Sequence, residues 1–136
     1  MSATATQPVE TSPVTARPTV VTWFEIPAAD FERAVHFYEA VFGIQLRREL
    51  AWPGMAIFPY EQPGISGCVV EGNDVKPCGN GVVVYLNCDG KLDAVLGRLA
   101  NAGGVVIKNK NHLPGIGWVA EIYDSEGNRV GLHAVV

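Results

Sequence analysis

The sequence predicts an α+β fold made of two βαβββ modules, and two observations carry that prediction. Hydrophobic periodicity switches from two to about 3.6 residues at Asp30, so residues 23–30 read as a strand that feeds directly into a helix at Phe31. The same order then recurs: a β-branched strand from Gly81 to Asn87, the polar break Cys88, Asp89, Gly90, Lys91, a helical pattern from Leu92, and a closing Gly103 and Gly104. Phe31 maps onto Leu92, Ala34 onto Val95, Val35 onto Leu96, Tyr38 onto Leu99 and Gly43 onto Gly104, a constant offset of 61 residues. Three short strand candidates follow each helix, so the repeated unit is one supersecondary module used twice.

At 136 residues the chain is of single-domain length and long enough to bury a real core. Residues 19–136 are read as one domain made of modules 19–71 and 81–136. Residues 1–18, rich in Thr, Ala, Pro and Val, lack the charged and apolar regions of a signal peptide and read as a disordered tail. Ten basic against fourteen acidic residues give a net charge of −4 with no Lys/Arg cluster, which argues against nucleic acid or an anionic membrane as partner. No apolar run approaches the ~20 residues of a membrane helix. A hydrophobic fraction of 48% points to apolar surface beyond the monomer core, as at a subunit interface. Cys68, Cys78 and Cys88 are odd in number and contain no C-x-x-C, which suits a reducing cytoplasm rather than a disulfide framework or a structural zinc site.

Taken in order, the first strand covers residues 20–27, with Phe24 and Ile26 turned under the helix and Trp23 and Glu25 on the opposite face. In the helix, Asp30 suits the N-cap and Gly43 the residue just past the end. The stripe Phe31, Ala34, Val35, Tyr38, Val41, Phe42 faces the sheet, and His36 falls off it into solvent. Residues 44–50, 55–59 and 65–70 follow as strands, separated by turns at Trp52-Pro-Gly and Pro63-Gly64, and residues 71–80 link the modules. In the second module Val83, Tyr85 and Asn87 share one strand face, and residues 105–108 form the next strand. Residues 109–117 read as a polar, glycine-bearing loop able to close over a pocket, with His112 in it and Trp118 beside it. Residues 118–123 and 129–136 form a hairpin around Asp124-Ser-Glu-Gly-Asn128, whose residues are explained by turn chemistry, with Gly127 supplying positive φ.

The paired modules, the run D-x-x-R-A-x-x-F-Y-x-x-x-F-G from Asp30 to Gly43, and D-S-E-G-N-R-V-G-L from Asp124 to Leu132 resemble the vicinal oxygen chelate superfamily, the glyoxalase/bleomycin resistance protein/dioxygenase group. The resemblance runs from about residue 19 to the C-terminus and is nearest to short glyoxalase-like bacterial proteins. It implies that the modules curl into a curved eight-stranded mixed sheet, a cup around a small-molecule site, often at a dimer interface. It also implies four metal-ligand positions in metal-dependent members. Here the first, third and fourth carry Trp23, Val83 and Gly131, and the second falls near Ser66 or Cys68. Too few donors remain for a divalent cation.

The expected function is therefore that of a small-molecule-binding protein with a degenerate metal site, binding or acting on a partly apolar ligand in the cup, with no cofactor and as a homodimer. The alternative is a metal-dependent lyase, isomerase or dioxygenase with a displaced ligand set drawn from Glu25, Glu121, His112 and His133. Candidate ligand-binding residues are Trp23, Cys68, Tyr85, His112 and Trp118. Trp23 reads either as a core filler or as a stacking wall, Cys68 either as a small buried hydrophobe or as a thiol facing the cup, and His112 either as an exposed loop residue or as a lid group. Glu25 and His133 lie two residues after the first and last ligand positions, so both should face the cup, and in the same half of it if the first and last strands pair across modules as the resemblance implies. As a carboxylate–imidazole pair they are the candidate acid/base residues, or else a buried structural pair.

Overall fold

The protein is described by a computed structural model over residues 20–136; the tail expected at residues 1–18 lies outside the described residues. The period change at Asp30 is realised directly. Strand β1 (Glu25–Pro27) leads into helix α1 (Phe31–Phe42), whose first turn is capped by the Asp30 carboxylate accepting from the Arg33 amide at 3.1 Å. Gly43 ends it with φ 66°, a left-handed conformation that disfavours any residue with a Cβ. Every member of the expected apolar stripe faces the interior, with Phe31 only partly buried, and Phe37 joins it; His36 is exposed, as its position predicts.

After α1 come β2 (Met55–Ile57), β3 (Cys68–Val70), β4 (Tyr85–Asn87), helix α2 (Leu92–Ala102), β5 (Val105–Leu113), β6 (Gly117–Tyr123) and β7 (Arg129–Ala134). Helix α2 has eleven residues where α1 has twelve, so its left-handed cap is Gly103 (φ 97°) and not the Gly104 that a constant offset requires. Gly104 is needed for another reason: a Cβ there would come within 2.8 Å of the Phe37 ring, where the two helices meet.

The module repeat appears in the pairing. In one sheet β1 runs parallel to β3, which is antiparallel to β2; in the other β4 runs parallel to β7, which is antiparallel to β6, itself antiparallel to β5. Each module therefore orders its strands first, last, third, second. The second strand of the first module, expected over residues 44–50, is reduced to one bridge between Arg47 and Ile57, so the first sheet counts three strands against four. The expected loop over 109–117 is instead mostly strand: β5 runs to Leu113 and the chain reverses over 114–116. Its polar residues reflect an exposed edge strand, on which only Ile107 is partly buried. Both helices cover one face of the sheets, over a core that includes Ile26, Val69, Leu86, Ile122 and Leu132.

The two sequence signatures turn out to be two sides of one clasp between modules. Tyr38, fully buried on α1, donates its hydroxyl to Asp124 Oδ2 at 2.6 Å, and burial together with that carboxylate pushes the phenol well above its ordinary range. Asp124 also accepts from the amides of Glu126 and Asn128 and from Asn128 Nδ2, which in addition reaches Pro27 O. Glu126 accepts from Asp30 N and from Arg33 Nε and Nη2 at 2.7 and 3.0 Å. Burial of the Glu126 carboxylate opposes ionisation, but the donors from Arg33, Asp30 and Ser125 outweigh it and bring its pKa down to about 2. The Asp124 turn is thus structural, and it locks the β6–β7 hairpin to α1.

Candidate functional site

The helices leave the opposite face of both sheets uncovered, and the centre of that face in the second sheet is built around one buried carboxylate. Register places Tyr85, Gly131, Glu121 and Lys108 in a row across β4, β7, β6 and β5. Alternation then puts Ile122 and Leu132 under the helices and Glu121 on the free face. Glu121 is only 8% exposed, and Arg129 Nε donates to its Oε1 at 2.6 Å. That hydrogen bond, against the opposing effect of burial, holds the carboxylate below its ordinary range, with Lys108 adding to the effect. Oε2 has only longer contacts, 3.3 Å from the Tyr85 hydroxyl and 3.4 Å from Lys108 Nζ. Burial and the Glu121 charge raise the Tyr85 pKa, which keeps its hydroxyl protonated. Beside this row lies a cavity of about 280 Å³ lined by Tyr85, Lys108, Asn111, Leu113, Val119, Ala120 and Glu121.

Gly131 explains how the row fits together. A Cβ at this position would collide with the Tyr85 ring, which lies directly across the glycine backbone. The absence of a side chain at 131 is thus what lets Tyr85 cross β7 and reach Glu121 on the next strand.

On the first sheet, Glu25, Cys68 and Ile57 form the corresponding row. Cys68 is fully buried. Burial, reinforced by the Glu25 charge and opposed by a hydrogen bond from Trp23, pushes its thiol up to about 11. It is a protonated packing residue, not a nucleophile. Trp23 is 41% exposed and so does not fill the core.

The other candidates separate. His112 and Trp118 do pair, in register and with ring centroids 5.0 Å apart, and Lys110 Nζ lies 5.0 Å over the Trp118 ring. They sit, however, on the helix side of the sheet, where Trp118 lines a cavity with Lys91, Leu92 and Asp93. Trp118 and Glu121 are three residues apart on a regular strand and so point to opposite faces. The lid role for His112 fails because residues 109–113 pair as strand. Glu25 and His133 both occupy the free face, as parity predicts, but no hydrogen bond or ion pair joins them among the described residues. β1 pairs with β3 and β7 with β4, each inside its own module, so the pair expected from cross-module pairing does not form. Glu25 is exposed, and His133 Nε2 lies 2.7 Å from Ile116 O.

Arg129, Lys108 and Asn111 were not singled out in the sequence, and Glu121 figured there only as a metal donor. The available signal was an acidic residue in the middle of the apolar strand around 118–123; its partners depended on a register that sequence alone does not give.

A divalent metal does not fit the residues present. Trp23, Val83 and Gly131 provide no suitable donor, and the Tyr85 ring fills the space beside Gly131. The Ser66 hydroxyl is committed to Phe58 O at 2.7 Å, and Cys68 is protonated. The displaced set is not assembled either: Glu121 and His112 are on opposite faces, Glu25 is on the other sheet, and among the described residues no group of three His, Cys, Asp or Glu is placed to hold an ion.

Residues 21–59 match the family described as bleomycin resistance protein-like N-terminal. No curated protein matches the chain. Among solved structures, it is similar to a glyoxalase/bleomycin resistance protein from Albidiferax ferrireducens T118 (16% identity, 85% of this chain and 98% of that one, TM-score 0.68). It is also similar to TnmS3, an antibiotic binding protein from Streptomyces sp. CB03234 (25% identity, 85% and 95% covered, TM-score 0.65). A glyoxalase/bleomycin resistance protein from the same Streptomyces shows 24% identity, 82% and 97% covered, and a TM-score of 0.64.

Proposed function

From a chain that carries the glyoxalase/bleomycin resistance fold, consistent with the vicinal oxygen chelate superfamily, we infer a binding protein for a small, partly apolar ligand that works without a metal. The observation that carries this reading is the Tyr85 ring lying across Gly131 with its hydroxyl on Glu121. Where the resemblance implies a metal ligand, this chain has an aromatic surface and a buried ionised carboxylate, which are means of recognition. The similarity to an antibiotic binding protein at 25% identity supports the same reading. The exposed aromatic surfaces of Trp23 and Tyr85 supply stacking area, and Lys108, Asn111 and Glu121 supply the polar contacts that orient a ligand.

We place the protein in the cytoplasm as a homodimer. Its three cysteines are free, and no helix among the described residues is long and apolar enough to cross a membrane. Away from the ligand contacts, the uncovered face also exposes Val105 and Tyr123, apolar area that a second copy would shield.

Tryptophan-fluorescence titration with planar aromatic compounds tests the assignment of the face. Tyr85→Ala should weaken binding about tenfold or more, since a stacked, partly desolvated aromatic contact contributes about 1–3 kcal/mol. Trp118→Phe, on the opposite face, should leave affinity unchanged. The reverse pattern would move the site to the cavity beside α2.

A further inference from the structure

We propose that Glu121 Oε2 selects the ligand: it accepts a hydrogen bond from a planar aromatic ligand that carries a hydroxyl or amino donor and lies against Tyr85. This rests on the reading that the free face binds a small molecule, and it names the chemical class.

The asymmetry of the Glu121 carboxylate carries the inference. Its Oε1 is saturated by the 2.6 Å bond from Arg129, whereas Oε2, in the same buried group, has only partners at 3.3 and 3.4 Å. Strong hydrogen bonds to a carboxylate are shorter than this by about 0.5 Å, so Oε2 retains acceptor capacity that the fold does not use. Both of its distant partners are free to move: Tyr85 is 46% exposed, and the Lys108 side chain is 61% exposed. A ligand donor can displace either one without breaking the Arg129 pair.

The adjoining cavity fixes the rest of the class. At about 280 Å³ it lies at the small end of ligand sites, which suits one or two fused rings. Val119 and Leu113 give it an apolar wall and Asn111 an amide. An anionic ligand would instead bring a second negative charge against the ionised Glu121 carboxylate, so aromatic carboxylates should bind less well.

Three probes with one ring system decide the matter: 2-naphthol, which has a donor; 2-methoxynaphthalene, which has none; and 2-naphthoate, which is anionic. Dissociation constants from calorimetry or fluorescence titration should favour 2-naphthol over both others by about tenfold or more, because a buried acceptor left unmatched penalises the analogue lacking the donor. Glu121→Gln should compress that preference severalfold. Glu121→Asp, which keeps the charge but draws the carboxylate back from the cavity, should reduce it as well, and so keeps the inference testable if Glu121→Gln does not fold. Equal binding of naphthol and its methyl ether, a preference for naphthoate, or an undiminished preference in the Glu121 variants would overturn the role of Glu121 while leaving the face a binding site. No binding of any probe to the wild-type protein would overturn both.

Discussion

Gly131 is the residue on which the chemistry of the free face turns. Any side chain there would displace the Tyr85 ring and break the approach of its hydroxyl to Glu121. Gly131→Ala should therefore destabilise the fold by about 1–3 kcal/mol, the range for an overpacked site. Because Tyr85 is partly exposed and can swing away, Tyr85→Ala should relieve much of that cost. A double-mutant cycle read by chemical denaturation checks this: strongly non-additive free energies are expected, and additive ones would mean that the two residues do not share the space. At this scale the sequence disclosed which positions lacked metal donors. It did not disclose what replaced them, because the meeting of Tyr85, Gly131 and Glu121 is a contact across three strands that only register creates.

At the scale of elements, helices, caps and turns were legible because each is specified locally. Asp30 and Gly43 cap α1 as expected, and the Asp124 turn has the role its composition implies. Two segments were not legible. Residues 109–117 look like a loop because an edge strand need not alternate when neither face is well buried. The cross-module pairing expected of β1 and β7 depended on long-range topology, so parity gave the faces of Glu25 and His133 correctly but not their separation.

The clasp between elements makes its own prediction. The Glu126 carboxylate has a folded-state pKa of about 2 against an ordinary 4.5, so its ionisation stabilises the fold at all pH values above about 4.5. That stabilisation is lost progressively as pH falls from 4.5 towards 2. Arg33→Met removes two of the donors, so it should lower stability at neutral pH and flatten the acid limb. Denaturation midpoints measured between pH 2 and 7 check the sign. An unchanged acid limb in the variant would show that Arg33 does not hold Glu126 ionised.

For the whole molecule, the repeat and the fold class were evident from the sequence because strand, helix and terminating glycine recur in order. Assembly was an expectation that rested only on a surplus of apolar residues. Part of that surplus, Val105 and Tyr123, lies exposed on the face the helices do not cover, away from the ligand contacts. Light scattering at micromolar concentration should therefore give twice the mass of the 14.6 kDa chain, and a monomeric mass would contradict the proposed dimer.

The central claim is that aromatic stacking and a carboxylate clamp stand where a metal centre would otherwise be. Its most direct test is titration of the dialysed protein with zinc, nickel and manganese, followed by calorimetry and thermal denaturation. No stoichiometric binding and no rise in melting temperature are predicted. One equivalent of metal retained through dialysis, with a matching rise in melting temperature, would contradict the account.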